Sequence, residues 1–232
     1  MCMVSKVSCA MVTAMGASLL EVEADVSGGL PDIEMTGNLA GSVKDGRERI
    51  RVAIKKCGFP FPQGRVTINI APAAVRKEGS GFDLAVACAI LEEIGIIDEE
   101  KLNGRVVVGE LGLDGSVIGV RGVLPIVLAA YKAGYIGCVV PEENYDEALM
   151  VSDIEITPVK NLTQLVCQDL DKIKTDRADE KVQNGGKHLD YSDISGQDYA
   201  KKAILTAVAG RHNILLMGPP GAGKTMLASR IP

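Results

Sequence analysis

The run Gly218-Pro219-Pro220-Gly221-Ala222-Gly223-Lys224-Thr225 satisfies the spacing G-x-x-x-x-G-K-[ST] in full, and that spacing permits very few local structures. Its glycines let successive backbone N–H groups turn toward one point, where a lysine and a hydroxyl also arrive. The flanks agree. Ile214-Leu215-Leu216-Met217 reads as a short buried strand, and Met226-Leu227-Ala228 reads as the opening of a helix. A strand, a glycine-rich turn and a helix N-terminus together cradle phosphate oxygens. The pattern therefore predicts a site for a nucleoside triphosphate, ATP, with Mg2+: residues Gly218 to Thr225 and the adjacent Met226 surround the phosphates. Lys224 is expected to reach the β- and γ-phosphates and the Thr225 hydroxyl to ligate Mg2+.

Upstream, the hydrophobic periodicity predicts an α/β chain. Residues 4–10 and 19–27 alternate as half-buried strands, 32–37 and 66–70 are shorter strands, and 39–57 recurs at helical spacing. Residues 82–94 form a nearly all-apolar helix, 106–113 a strand running into a glycine turn, and 123–133 a helix before a strand at 137–140. Helix and strand signals follow at 142–150, 154–157 and 162–170. From Lys174 to His188 the composition turns to Lys, Asp, Glu, Gln and Asn with the pair Gly185-Gly186, leaving almost nothing to bury. The expected organisation is one domain over 1–172, a linker over 173–190, and over 191–232 the opening of a nucleotide-binding domain, with Asp193 capping a helix that runs to about Val208. A complete nucleotide-binding α/β domain takes on the order of 150 residues or more. The second domain is therefore expected to be only a beginning.

Composition narrows the classes of function. With 47% hydrophobic and 24% charged residues the chain is an ordinary globular one, and a net charge of −5 confines any nucleic-acid contact to a patch. The six cysteines Cys2, Cys9, Cys57, Cys88, Cys138 and Cys167 show no C-x-x-C spacing and sit mostly in apolar runs. They are expected to be small buried hydrophobes in a reducing compartment rather than metal ligands or a disulfide framework. No apolar run approaches the length of a membrane span and the start of the chain lacks the apolar core of an export signal, so a cytoplasmic protein without membrane partners is expected.

One helix departs from the acidic background. Between Gly41 and Cys57, six basic residues stand against Asp45 and Glu48, and Lys44, Arg47, Arg51 and Lys55 fall three and four apart, opposite Val43, Ile50 and Ile54. Such a stripe suits contact with DNA phosphates, although a solvated helix face has the same pattern and no aromatic interleaves it to stack bases. Asn69, Asp83 and Glu110 are polar residues within apolar segments; they are expected to satisfy backbone donors at element ends. His212, ahead of the phosphate loop, reads as a surface or positioning histidine.

Several segments, in order along nearly the whole chain, resemble a known family. They are residues 26–31, 47–53, 67–72, Lys77-Glu78-Gly79 with Phe82-Asp83-Leu84, Val108-Gly109-Glu110-Leu111, and 218–229. The resemblance is to the bacterial Mg-chelatase-like AAA+ ATPases called YifB or ComM. It implies a Lon-protease-like N-terminal domain, with the α+β fold also seen in a ribosomal protein, followed by the start of a P-loop AAA+ domain. It further implies a homo-hexameric ATPase that in the ComM branch drives branch migration of DNA during recombination and transformation. Within Asp193-Ile194-Ser195-Gly196-Gln197, Ile194 and Gly196 resemble the segment that packs around the adenine. The Walker B strand and arginine finger of such a motor do not occur before Pro232, so ATP hydrolysis is expected of a longer protein. Rivals are a motor subunit of a metal chelatase and an ATP-dependent Lon-like peptidase.

Against a peptidase stands the segment Lys77-Glu78-Gly79-Ser80-Gly81-Phe82-Asp83, which places Gly81 where Lon carries its serine nucleophile, with Ser80 one residue early. That offset is expected to aim the Ser80 hydroxyl away from a dyad. Leu124 falls where the lysine base should be, and no lysine lies between Lys101 and Lys132. No residue is assigned a catalytic role.

Overall fold

Strand alternation decides where the core lies. The computed structural model describes residues 4–13, 16–173, 190–210 and 212–231, which fall into two compact units, 1–176 and 177–232. The proposed linker at 173–190 lies almost wholly outside the described residues, as does Cys2.

Among its described residues the first unit has nine strands: β1 (Ser5–Thr13), β2 (Gly16–Ser27), β3 (Asp32–Thr36), β4 (Arg65–Ala71), β5 (Arg105–Val107), β6 (Glu110–Leu111), β7 (Val117–Ile118), β8 (Gly137–Pro141) and β9 (Glu155–Val159). Seven form one mixed sheet in the order β3-β4-β2-β1-β5-β8-β9, and β6 and β7 pair by themselves. β1 pairs antiparallel with β2 and parallel with β5, so the sheet changes character along its middle strand. Because side chains alternate across a strand, Val7, Cys9, Val22, Val107 and Val139 enter one core while Ala10, Val106, Cys138 and Val140 enter another on the opposite face. The first core is covered by helices α1 (Gly41–Lys56) and α2 (Asp83–Glu93). The second is covered by α4 (Val123–Lys132), which follows the short α3 (Glu99–Leu102). Every residue of α2 from Asp83 to Leu91 is buried, because it lies between the sheet and α1. Short helices α5 (Tyr145–Ala148) and α6 (Leu162–Cys167) complete the unit.

In the second unit a 3-10 turn at Tyr191–Asp193 precedes α7 (Asp198–Ala209), and α8 (Lys224–Ala228) follows the glycine-rich loop. Ile194, Ile204 and Leu227 form its small core.

Four expectations are corrected. The strand at 106–113 is broken after Val107: the Gly109 N–H donates to the Gly81 carbonyl at 3.1 Å and turns the chain toward α2. The segment Asn213–Met217 forms no strand, and Leu215 and Met217 are 80% and 83% exposed; among the described residues of the second unit no strand is present to accept its ladder bonds. Asp193 does not cap α7, because its carboxylate returns to the Asp190 N–H at 3.1 Å, and the helix begins after Gln197. Cys167 is exposed, while Cys9, Cys88 and Cys138 are buried as expected, with burial raising the thiols of Cys9 and Cys138 to about 12. Among the described residues no group of three or more His, Cys, Asp or Glu side chains is placed to hold a metal ion, and no helix is long and apolar enough to cross a membrane.

Candidate functional site

The glycine-rich loop joins Met217 to α8. Gly221 and Gly223 adopt positive φ angles of 80° and 79°, which swing the backbone amides of the loop around and which L side chains disfavour. Nothing lies within 4 Å of where a Gly221 side chain would begin, so the loop is open to solvent at that residue. Lys224 folds back over it, its ammonium donating to the carbonyls of Gly218 and Pro219 at 2.8 Å each. These are weak neutral acceptors that a phosphate can replace. Thr225 and Met226 are exposed, as are Gly218, Pro219 and Pro220, and Ala222 closes the turn with its N–H on the Pro219 carbonyl. Exposed glycines and prolines, a lysine resting on two carbonyls and an exposed Thr225 fit a nucleoside triphosphate with its metal.

The segment proposed to lie at the adenine is tied to the loop's helix within the same unit. The Tyr191 hydroxyl donates to the Leu227 carbonyl at 3.1 Å, and the Arg230 guanidinium donates to the Asp190 carbonyl at 3.0 Å. Ile194 itself is packed against Ile204 and Leu227, and its carbonyl accepts from the Lys201 ammonium. Gly196 is exposed.

In the first unit the structure places Lys44, Arg47 and Lys55 on the exposed face of α1, with Arg51 half-buried beside them and Val43, Ile50 and Ile54 buried beneath. Arg47 is anchored by its own helix and by the Ile33 carbonyl, at 2.9 and 3.3 Å. Arg51 sits 3.8 Å from Glu48. The aromatic residue absent from the stripe is supplied by the next segment: Gly58 turns the chain back so that Phe61 lies under the Lys55 ammonium, 5.9 Å from ring centre to nitrogen. Arg47, Arg51, Lys55 and Phe61 thereby line one hollow of about 340 Å3. Sequence periodicity missed Phe61 because it lies outside the helix; the aromatic pair in Phe59-Pro60-Phe61-Pro62 was the available signal.

Arg49 is withdrawn from this face. Its Nε donates to Asp83 Oδ2 at 2.9 Å and its Nη2 lies 2.8 Å from the same oxygen. Gly46 makes room for the pair, since a side chain there would begin 2.7 Å from Asp83 Oδ1. Burial, opposed by Arg49, pushes the Asp83 carboxyl up to about 6. Asn69 and Glu110 find side-chain partners rather than the backbone donors expected of them, whereas Asp83 accepts from the Leu111 backbone as well as from Arg49. The Asn69 amide donates to Glu23 at 2.9 Å, and Glu110 accepts from Ser80.

Ser80 and Glu110 lie in a second hollow of about 400 Å3, with Gly79, Gly81 and Phe82 on one side and Val120 and Arg121 on the other. Ser80 lines the hollow, and its hydroxyl donates to the Glu110 carboxylate rather than to a dyad partner. No lysine lines the hollow among the described residues. Lys77, fully buried next door, spends its ammonium on the carbonyls of Gly37 and Pro72. Leu124 is held by its N–H on Glu147 at 3.0 Å.

Sequence comparison agrees with these two units. The family described as subunit ChlI of Mg-chelatase matches residues 22–144, and a further match to magnesium chelatase subunit ChlI spans 190–232. The chain is 38% identical to the competence protein ComM of Haemophilus influenzae over 93% of its own length and 43% of that protein. It is also 38% identical to the YifB protein of Escherichia coli, over 91% of its length and 42% of that relative. A Lon protease of Trichlorobacter lovleyi is 24% identical over 69% of the chain and 21% of the protease. An α/β Lon-like domain followed by the start of an AAA+ domain is the class of protein that fold and matches define. The chain belongs to the Mg-chelatase ChlI-like family that includes ComM and YifB. It spans less than half the length of these curated relatives.

Proposed function

We propose that this chain supplies the Lon-like domain and the phosphate-binding start of an ATP-driven motor that remodels DNA. The observation that carries the proposal is the open glycine-rich loop, with Lys224 resting on two replaceable carbonyls, in a chain 38% identical to a competence protein. Lys224 and the amides of Gly218 to Gly223 hold the phosphates, Thr225 holds Mg2+, and Ile194 and Gly196 flank the base. The bound nucleotide supplies the hydrolysable phosphoanhydride. Lys44, Arg47, Arg51 and Lys55 contact DNA phosphates, with Phe61 beside them as a stacking surface. The longer protein works as a homo-hexamer in the cytoplasm.

The test is conversion of a synthetic four-way DNA junction by the full-length protein with ATP and Mg2+. Conversion that disappears in Lys224→Ala is expected; Mg2+ insertion into a porphyrin without junction conversion would sink the proposal in favour of a chelatase. In the same protein Arg47→Glu with Arg51→Glu is expected to weaken DNA binding and flatten its dependence on salt by about two phosphate contacts, each worth a slope of roughly 0.9. An unchanged salt slope would remove the helix from the DNA interface.

A further inference from the structure

The hollow at Ser80 has an unusual wall. β1 runs to Thr13 and is paired with β2 throughout, yet on its other side it meets β5 only at Ser8 opposite Val106. After Val107 the neighbouring chain leaves. The Val108 N–H goes to Val139 at 3.1 Å, and Gly109 goes to Gly81, away from β1. Residues 10–13 of β1 therefore have no ladder partner on that side among the described residues, although they lie in the middle strand of the sheet. Ala10, Met11 and Val12 are also residues that line the hollow. Four residues of strand span about 13 Å.

The facing wall is preformed. Asn144 both accepts from the Val120 N–H and donates to the Val120 carbonyl, each at 2.9 Å, and Glu143 accepts from the Gly119 N–H at 3.0 Å. The walls between are apolar, from Val12, Phe82, Val108, Val120 and Ile126. Three lining residues carry charge. Glu78 is paired with Arg76 at 3.0 Å and Glu110 with the Ser80 hydroxyl, whereas Arg121 has no partner among the described residues. Arg121 is therefore the lining charge that lacks a bonded partner among the described residues, while the neutral Ser80 hydroxyl leaves the Glu110 charge in place.

We propose that this hollow binds an extended peptide segment, which adds to the open half of β1 as a short strand, places a small apolar side chain between Val120 and Val12, and sets an acidic side chain against Arg121. Main-chain bonds supply affinity in such strand addition, and pockets for alternate side chains supply choice of sequence. Binding occurs without cleavage, since the hollow offers no lysine to accept the Ser80 proton. The site lies wholly within the first unit and does not depend on the nucleotide loop.

The probe is a pool of fluorescein-labelled, end-blocked hexapeptides that alternate apolar residues with Glu or with Lys, read by fluorescence polarisation on the 232-residue chain. Glu-containing members are expected to saturate the wild-type protein. Two variants and one altered probe test the geometry. A side chain at Gly81 would begin 3.7 Å from Val120, an ordinary contact, so Gly81→Leu fills the hollow and is expected to weaken binding at least tenfold at an unchanged melting temperature. Arg121→Glu is expected to turn the preference from Glu to Lys peptides. Backbone N-methylation of alternate residues in the best peptide is expected to abolish its binding; this needs no change to the protein and so holds even where Gly81→Leu alters the fold. The proposal is overturned if no peptide saturates, if methylated and unmethylated probes bind alike, or if a well-folded Gly81→Leu binds as the wild type does.

Discussion

Replacing Arg49 by Met isolates the energy of the ion pair that fastens α1 to the first turn of α2. Asp83 is 3% exposed and Arg49 29% at their side chains, so removal of the arginine leaves a buried carboxylate with little water to replace its partner. Breaking a buried pair from one side costs about 3–5 kcal/mol, and the partial exposure of Arg49 places the expected value near the lower end, ~3 kcal/mol at pH 8. For a unit of this size each kcal/mol moves the melting temperature by about 2–4 °C, giving a loss of roughly 6–12 °C. The effect also carries a pH signature. Asp83 titrates at about 6 in the folded protein against an ordinary 3.8, so the folded state holds this proton more tightly than the unfolded chain. Its contribution to stability is therefore greatest at low pH and declines as pH rises from about 3.8 through 6. Without Arg49, which lowers the value, the decline extends to higher pH. The deficit of Arg49→Met against wild type is expected to be largest at pH 8 and to shrink at pH 5, where Asp83 is protonated in both. Thermal melts followed by circular dichroism at the two pH values measure it. Equal melting temperatures at pH 8, or a deficit of the same size at pH 5, would refute the assignment of Asp83 as a buried charge held by Arg49.

Other perturbations address separate links. Lys224→Ala is expected to weaken binding of ATP with Mg2+ at least tenfold by isothermal titration while leaving the melting of the first unit unchanged; equal affinity would remove the loop lysine from the site. Gly109→Ala places a carbon 2.9 Å from Val117 and 3.2 Å from Leu84, so overpacking is expected to lower stability by ~1–3 kcal/mol in urea denaturation. No loss would show that this crossing has slack. Fluorescent casein is expected to survive incubation with the chain, with or without ATP, and cleavage that vanishes in Ser80→Ala would restore the peptidase alternative.

The parts of this protein that could be read from its residues are those whose cause is local. The alternation of Leu20, Val22 and Ala24 and the helical recurrence of Val43, Ile50 and Ile54 each carry their own period, and the structure buries those faces. The glycine-rich turn leading into α8 was legible for the same reason, its eight residues being contiguous. What escaped depends on contacts across the chain. An apolar run at 213–217 looks like a strand, but strand formation needs a neighbour to bond with. Phe61 joins the basic face only because a turn returns it to the helix it has just left. Arg49 counts as one more positive charge until Asp83, 34 residues later, claims it. The Ser80 hollow was legible only as a missing lysine and an offset serine; the open side of β1 follows from where β5 ends, which no single segment encodes.

That ending of β5 also has a mechanical meaning. The large sheet is an antiparallel plate, β4, β2 and β1 with β3 at its rim, joined to a parallel plate of β5, β8 and β9. The joint is the short contact around Ser8 and Val106, reinforced by the Tyr135 hydroxyl, which donates to Ser8 Oγ at 3.1 Å. Within each plate the strands are laced along most of their length, whereas across the joint almost nothing but the packed helices resists a twist. The two plates therefore share few ladder bonds, and their joint is held chiefly by the two cores that cross it, one on each face of the sheet.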